Sequence, residues 1–116
     1  MTSTHHRRAT APLPPEQADF AAQTFAALGD RTRSRIVYAL TQGEQSVNAL
    51  AEMAGVSASA VSHHLAHLRD IRLVKTRRAG NQVFYSVDDA HVANLFCEAL
   101  YHLDHVKRNL PDHDRG

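Results

Sequence analysis

Cysteine is nearly absent from this 116-residue chain: Cys97 stands alone. A single thiol excludes an intramolecular disulfide, so nothing in the cysteine pattern calls for an oxidising compartment. Long apolar runs are missing too. No stretch approaches the ~18 residues that a spanning helix needs, and the opening MTSTHHRRATAPLPP lacks the apolar segment of a secretory signal. The expectation is a cytoplasmic protein with no membrane partner. Internal repeats are absent, and net charge is slight, at +1. That small sum conceals an asymmetry. Between residues 57 and 87, Arg69, Arg72, Lys75, Arg77 and Arg78 face only Asp70, giving +4 there and leaving −3 for the rest. A basic segment on a nearly neutral chain is how a nucleic-acid footprint shows itself, although a solvated face has the same composition.

At 43% hydrophobic residues, the chain can bury one small core, with dimerisation as a further source of stability. The reading is a polar tail over 1–15, one domain over 16–106 and a second tail over 107–116. From Glu16, the spacing of Phe20, Thr24, Phe25 and Leu28 predicts a helix that stops near Gly29. Asp30 is placed to cap a second helix with Ile36, Val37 and Leu40 inward. Ser46 caps a short third helix with Val47, Leu50 and Met53 inward, and Ser57, after Gly55, caps a fourth. Helix, tight turn, helix is the layout of a helix-turn-helix. Leu73–Arg78 and Gln82–Val87 are β-prone runs around Ala79, Gly80 and Asn81, which predicts a hairpin. The fold class is therefore mainly α with a small β-hairpin: a winged helix-turn-helix.

In the fourth helix, Val61, Leu65 and Leu68 share one face, leaving Ser59, His63, Ala66 and His67 opposite, with Ser62 at the flank. Small hydroxyls and imidazoles on a helix can approach base edges in a major groove. Ser57 and Ser59 lie at the helix N-terminus, where free N–H groups favour a phosphate. Arg77 and Arg78, flanking the hairpin tip, are expected on backbone or minor groove, adding affinity more than specificity.

The last helix, capped by Asp88 or Asp89, repeats apolar residues at Val92, Leu95, Phe96, Ala99, Leu103 and Val106. So long a seam is expected to pack on the first helix and on a partner chain. Along one flank run His91, Glu98, His102 and His105, with Asp89 just before them; Cys97 and Tyr101 project from the other side, and Cys97 is read as a small packing residue. His91 and His102 are eleven positions apart, which returns to nearly the same face yet separates them by about 16 Å along the axis. Metal ligands must converge to about 2 Å from a shared ion. One chain cannot close such a site, whereas an antiparallel partner helix brings Asp89 and His91 of one molecule against His102 and His105 of the other.

One carboxylate and three imidazoles suit tetrahedral Zn(II) or Co(II). Six-coordinate Ni(II), with His5, His6 or His113 added from the tails, is the alternative, against solvated tail histidines. A zinc hydrolase would also use H-x-x-H, but Leu103 follows His102 where a metalloprotease helix needs the glutamate of H-E-x-x-H, so no enzyme is expected. A DNA-binding regulator answering to oxidation or a small ligand is the remaining competitor.

The segments LGDRTRSRIVYAL, SVNALAEMAGVSASAVSHHLAHLRDIRLVKTRRAGNQVFYSV and DDAHVANLFCEALYHLDH resemble the ArsR/SmtB metal-sensing repressors over about residues 18–106. The resemblance implies winged-helix homodimers that occupy operator DNA when metal-free and release it on binding metal. For members sensing through the last helix it implies D-x-H from one chain and H-x-x-H from the other, here Asp89, His91, His102 and His105. Zinc, cobalt or nickel homeostasis, typically repression of an efflux gene, is the role it implies. Members sensing thiophilic metals carry C-x-C in the third helix, where this chain reads Ser46, Val47, Asn48. Without thiolates, arsenite, cadmium or lead sensing is not expected.

Overall fold

A computed structural model describes residues 11–109. The N-terminal helix, α1 (Pro15–Leu28), begins with proline in its first turn, where a missing N–H costs nothing. At its far end the orphan carbonyl of Ala27 accepts from Arg33 Nε at 2.7 Å. Asp30 caps α2 (Arg31–Thr41) by accepting from the Arg33 N–H at 2.9 Å. A two-residue strand, β1 (Gln45–Ser46), leads into α3 (Val47–Ala54), capped by Ser46 Oγ accepting from Ala49 N. Gly55, at φ +70°, ends α3 in the left-handed conformation that glycine adopts without a Cβ penalty. Ser57 Oγ accepts from Ala60 N and starts α4 (Ala58–Asp70).

The end of α4 sets where the wing begins. Arg72 N–H donates to Arg69 O at 3.0 Å and Leu73 N–H to Leu68 O at 2.9 Å. This is the paired closure of a Schellman motif, with Arg72 at φ +65° in the place glycine usually takes. Because Leu73 N–H is committed to that cap, strand pairing starts one residue later than the β-prone run: β2 is Val74–Ala79 and pairs antiparallel with β3 (Gln82–Val87). Ala79 pairs with Gln82, so the turn is Gly80–Asn81 alone, with Gly80 (φ +63°) taking the first corner. The sheet has a third strand that periodicity could not announce. β1 pairs through Gln45↔Tyr85 and Ser46↔Phe84, giving the order β1-β3-β2.

Ile36, Val37, Leu40, Leu50, Val61, Leu65, Leu68, Leu73 and Val74 form the core, closed by Ala27 and Val92. The first helix forms and stops at Gly29 as its spacing predicts, with Phe20 and Phe25 more than half exposed and Ala27 buried. Two expectations are corrected. Met53 is exposed rather than inward: Leu50 is the buried residue of the eight-residue α3, with Val47 and Ala51 packed beside it against the core. The final helix, α5 (Ala90–Asn109), rests chiefly on α2 and β3, not on α1, and runs three residues past the expected boundary at 106. Only Val92 of α5 is buried, and every residue from Cys97 to Asn109 is exposed. The radius of gyration is accordingly 18.1 Å, against about 13 Å for a compact chain of this size. No helix among the described residues is long and apolar enough to cross a membrane.

Candidate metal centre and nucleic-acid interface

Two candidate donor pairs lie along α5. Asp89 caps the helix: its Oδ1 accepts from the N–H groups of His91 at 2.9 Å and Val92 at 3.3 Å. The same oxygen is 3.5 Å from Nδ1 of His91, so carboxylate and imidazole already share one small volume. Both side chains are open to solvent. About 16 Å further along, His102 and His105 stand one turn apart and are also exposed. Among the described residues, no three His, Cys, Asp or Glu side chains of one chain gather into a set able to hold an ion. The donors divide into pairs at opposite ends of a helix whose apolar seam, Leu95, Leu103 and Val106, is 36–50% exposed. His5, His6 and His113 lie outside the described residues. Cys97 is exposed on the single chain, beside Tyr38, Leu100 and Tyr101, rather than packed as expected.

The other surface is the outward face of α4. Val61, Leu65 and Leu68 are fully buried, which fixes the helix rotation and leaves Ser59, Ser62, His63 and His67 exposed together. Ser57 is exposed as well, its Oγ lone pair spent on the cap and its O–H still able to donate. His64, next to His63, turns inward, its Nδ1 buried without a hydrogen-bond partner. It lies near Asp30, whose carboxyl is held below its ordinary range mainly by the Arg33 N–H, with Arg33 and His64 charge adding to the effect.

The wing departs from its expected role at one residue. Arg77 folds back from the hairpin: Nε and Nη2 donate to the two carboxylate oxygens of Glu44 at 2.9 and 2.8 Å. Its guanidinium also lies 5.2 Å from the Phe84 ring centroid. Each partner raises the other's preference for charge, Glu44 being shifted down and Arg77 up, chiefly by that hydrogen-bonded pairing. With its Nε/Nη2 edge committed to Glu44 and its charge offset there, this guanidinium is a weaker phosphate hook, so Arg78, exposed and with no ion pair among the described residues, is the more available arginine of the wing. Glu44 escaped sequence reasoning because it lies 33 residues from Arg77. The pairing becomes visible only when β1 is placed beside β3.

A helix-turn-helix, a basic wing and an incomplete outer helix define a class: winged-helix DNA-binding transcription regulators. Residues 30–76 match the model of the bacterial regulatory protein, arsR family. The chain is 41% identical over 105 residues to the HTH-type transcriptional regulator KmtR of Mycobacterium tuberculosis, covering 90% of this chain and 81% of that one. It is 43% identical over 105 residues to the regulator NmtR of the same organism, covering 90% and 88%. The solution structure of apo-NmtR superposes with a TM-score of 0.71 at 42% identity, over 91% of this chain and 89% of that one. A homodimeric winged helix-turn-helix DNA-binding domain of Mycobacterium bovis gives 0.76 at 29% identity, over 88% and 98%. This chain belongs to the ArsR family, a family of transcription regulators and not of enzymes.

Proposed function

We propose that this protein is a metal-responsive repressor: a homodimer that holds operator DNA when metal-free and releases it when Zn(II) or Co(II) binds between the chains. The observation that carries the reading is the division of donors on α5, Asp89 with His91 at one end and His102 with His105 at the other, on the flank of an uncovered apolar seam. An antiparallel partner helix covers the seam and closes two equivalent sites, each of one carboxylate oxygen and three imidazole nitrogens. Ni(II) with added tail histidines is the second reading, supported by the exposure of both half-sites to incoming ligands.

On the DNA side, Ser59, Ser62, His63 and His67 read the major groove, Ser57 contributes at the α4 N-terminus, and Arg78 reaches backbone or minor groove. A short backbone route connects this surface to the metal ligands. The Leu68 carbonyl, in the last turn of α4, accepts from Leu73 N–H, and the Leu73 carbonyl accepts from Asp88 N–H at 2.9 Å, one residue before Asp89. Drawing Asp89 and His91 toward a partner helix therefore pulls on the cap of the reading helix. Release results if the metal-bound dimer holds its two α4 helices at a separation the operator does not match.

The test is titration of a duplex, selected from random sequence by the metal-free protein, with Zn(II), Co(II), Ni(II) and chelator, beside the Co(II) absorption spectrum. Metal-dependent release with intense d–d bands supports the four-ligand site, and weak bands the six-ligand one. Operator affinity indifferent to all three metals and to chelator overturns metal control.

A further inference from the structure

We infer that His63 and His67 form a second metal site, a two-imidazole chelate for a divalent ion such as Ni(II), on the outward face of α4. The two residues are four apart on an unbroken helix, Ala58–Asp70, and both are exposed. At that spacing Cβ atoms lie about 5–6 Å apart on one face, and two imidazoles so placed can meet one ion at about 2.0–2.1 Å from each nitrogen. Neither ring has a hydrogen bond or ion pair among the described residues; His63 makes only an edge contact with His64, at 6.4 Å between centroids. Their lone pairs are therefore uncommitted. The helical neighbours on this face include the small residues Ser59, one turn before His63, and Ala66, with exposed Asp70 one turn after His67. His64 is excluded as a third ligand because it turns into the fold.

Two donors leave the remaining positions to water. This site is thus open and labile, unlike the four-donor site proposed between α5 helices, and imidazole ligation favours Ni(II), Cu(II) and Zn(II) over Mg(II) or Ca(II). Its consequence rests on the reading of α4 as the groove-facing helix. The nitrogens that would hold the ion are those that would meet base edges, and a hydrated ion keeps the helix from the groove floor. Ion and operator are then mutually exclusive on α4, giving metal a direct route to release that bypasses α5.

The test removes the α5 site by replacing Asp89, His91, His102 and His105 with Ala, and titrates that protein with Ni(II) alone. Calorimetry gives the stoichiometry, and imidazole nitrogen NMR signals locate the ion. The same background carrying His63→Gln and His67→Gln is the control; tail histidines are present in both, so their contribution cancels. The expected result is one ion per chain lost in the control, with His63 and His67 signals responding together, and binding suppressed by a saturating operator duplex. Equal stoichiometry in the two proteins, with the His63 and His67 signals unmoved, overturns the site. Binding at the pair that operator does not suppress leaves the metal site standing and removes this face from the groove instead.

Discussion

The winged body and the last helix solve opposite problems with similar residues. In α4, Val61, Leu65 and Leu68 have no measurable exposure, while in α5 Leu95, Leu103 and Val106, at comparable helical spacing, remain 36–50% exposed. The body is a finished unit whose polar face is thereby fixed in rotation. The last helix is half a structure: a 20-residue rod, about 30 Å long, with one residue in the core. Helices in proteins draw most of their stability from packing of an amphipathic face, and here that face is largely uncovered. The proposed groove-facing surface is therefore complete on each chain, whereas the proposed metal site needs two chains to exist at all.

The largest expected contrast separates these regions by stability. Leu65→Ala should destabilise the fold by about 2–5 kcal/mol, since it opens a cavity in a closed core. Leu103→Asp should leave the winged body folded and instead raise the concentration at which dimers form. Denaturant unfolding and sedimentation read the two effects, and a Leu103→Asp chain that dimerises normally would break the contrast.

Next in size is the reading helix. His63→Ala is expected to weaken operator binding by about 1–3 kcal/mol if the imidazole meets a base edge. A filter-binding or anisotropy titration at fixed salt checks it, and unchanged affinity places the DNA elsewhere.

Asp89 sharpens the comparison because it serves both regions, capping α5 through Oδ1 and standing next to His91. Asp89→Asn should keep the cap and lose the metal response, whereas Asp89→Ala should lose both, the cap costing about 1 kcal/mol. Equal thermal stability of the two variants would show that the cap contributes nothing.

The smallest effect concerns the wing. Arg77→Ala alone should leave the salt dependence of operator binding nearly unchanged, because Glu44 already occupies that guanidinium. Arg78→Ala should lower the slope by about one phosphate contact, and Glu44→Gln should raise it by releasing Arg77. The pairing holds the Glu44 carboxyl below its ordinary range. Its contribution is accordingly present at neutral pH and lost only as acid protonates the carboxylate, with little weight at so exposed a pair.

The caps, the core of α2 and α4, and the helix-turn-helix are legible from sequence because each rests on local chemistry: Asp30, Ser46 and Ser57 cap where hydroxyl or carboxylate precedes an apolar period. The hidden parts depend on contacts distant in the chain. A strand of two residues has no period to detect, and Glu44 gains its meaning only opposite Arg77. Helix periodicity correctly marks an apolar seam on α5 but cannot say which neighbour covers it, so it points to the first helix where the structure uses α2 and β3. Met53 misleads for the same reason: spacing reports a face, not what lies against it. The proposed metal ligands are legible as two pairs and as a distance too long for one chain; among the described residues no three His, Cys, Asp or Glu side chains of one chain gather.

The central claim is that each ion is held by two chains, and complementation tests it most directly. One variant carries Asp89→Ala with His91→Ala, the other His102→Ala with His105→Ala, so that either homodimer keeps only one donor pair at every α5 site. In the mixed dimer, one of the two symmetry-related sites receives both defects and the other none. Zn(II) titration of the purified heterodimer, with the tail and α4 histidines replaced by Gln in all proteins, should give one tight ion per dimer against two for the matching parent and none for either homodimer. A folded heterodimer with no tight ion would contradict the shared site and the route from metal to DNA release built on it.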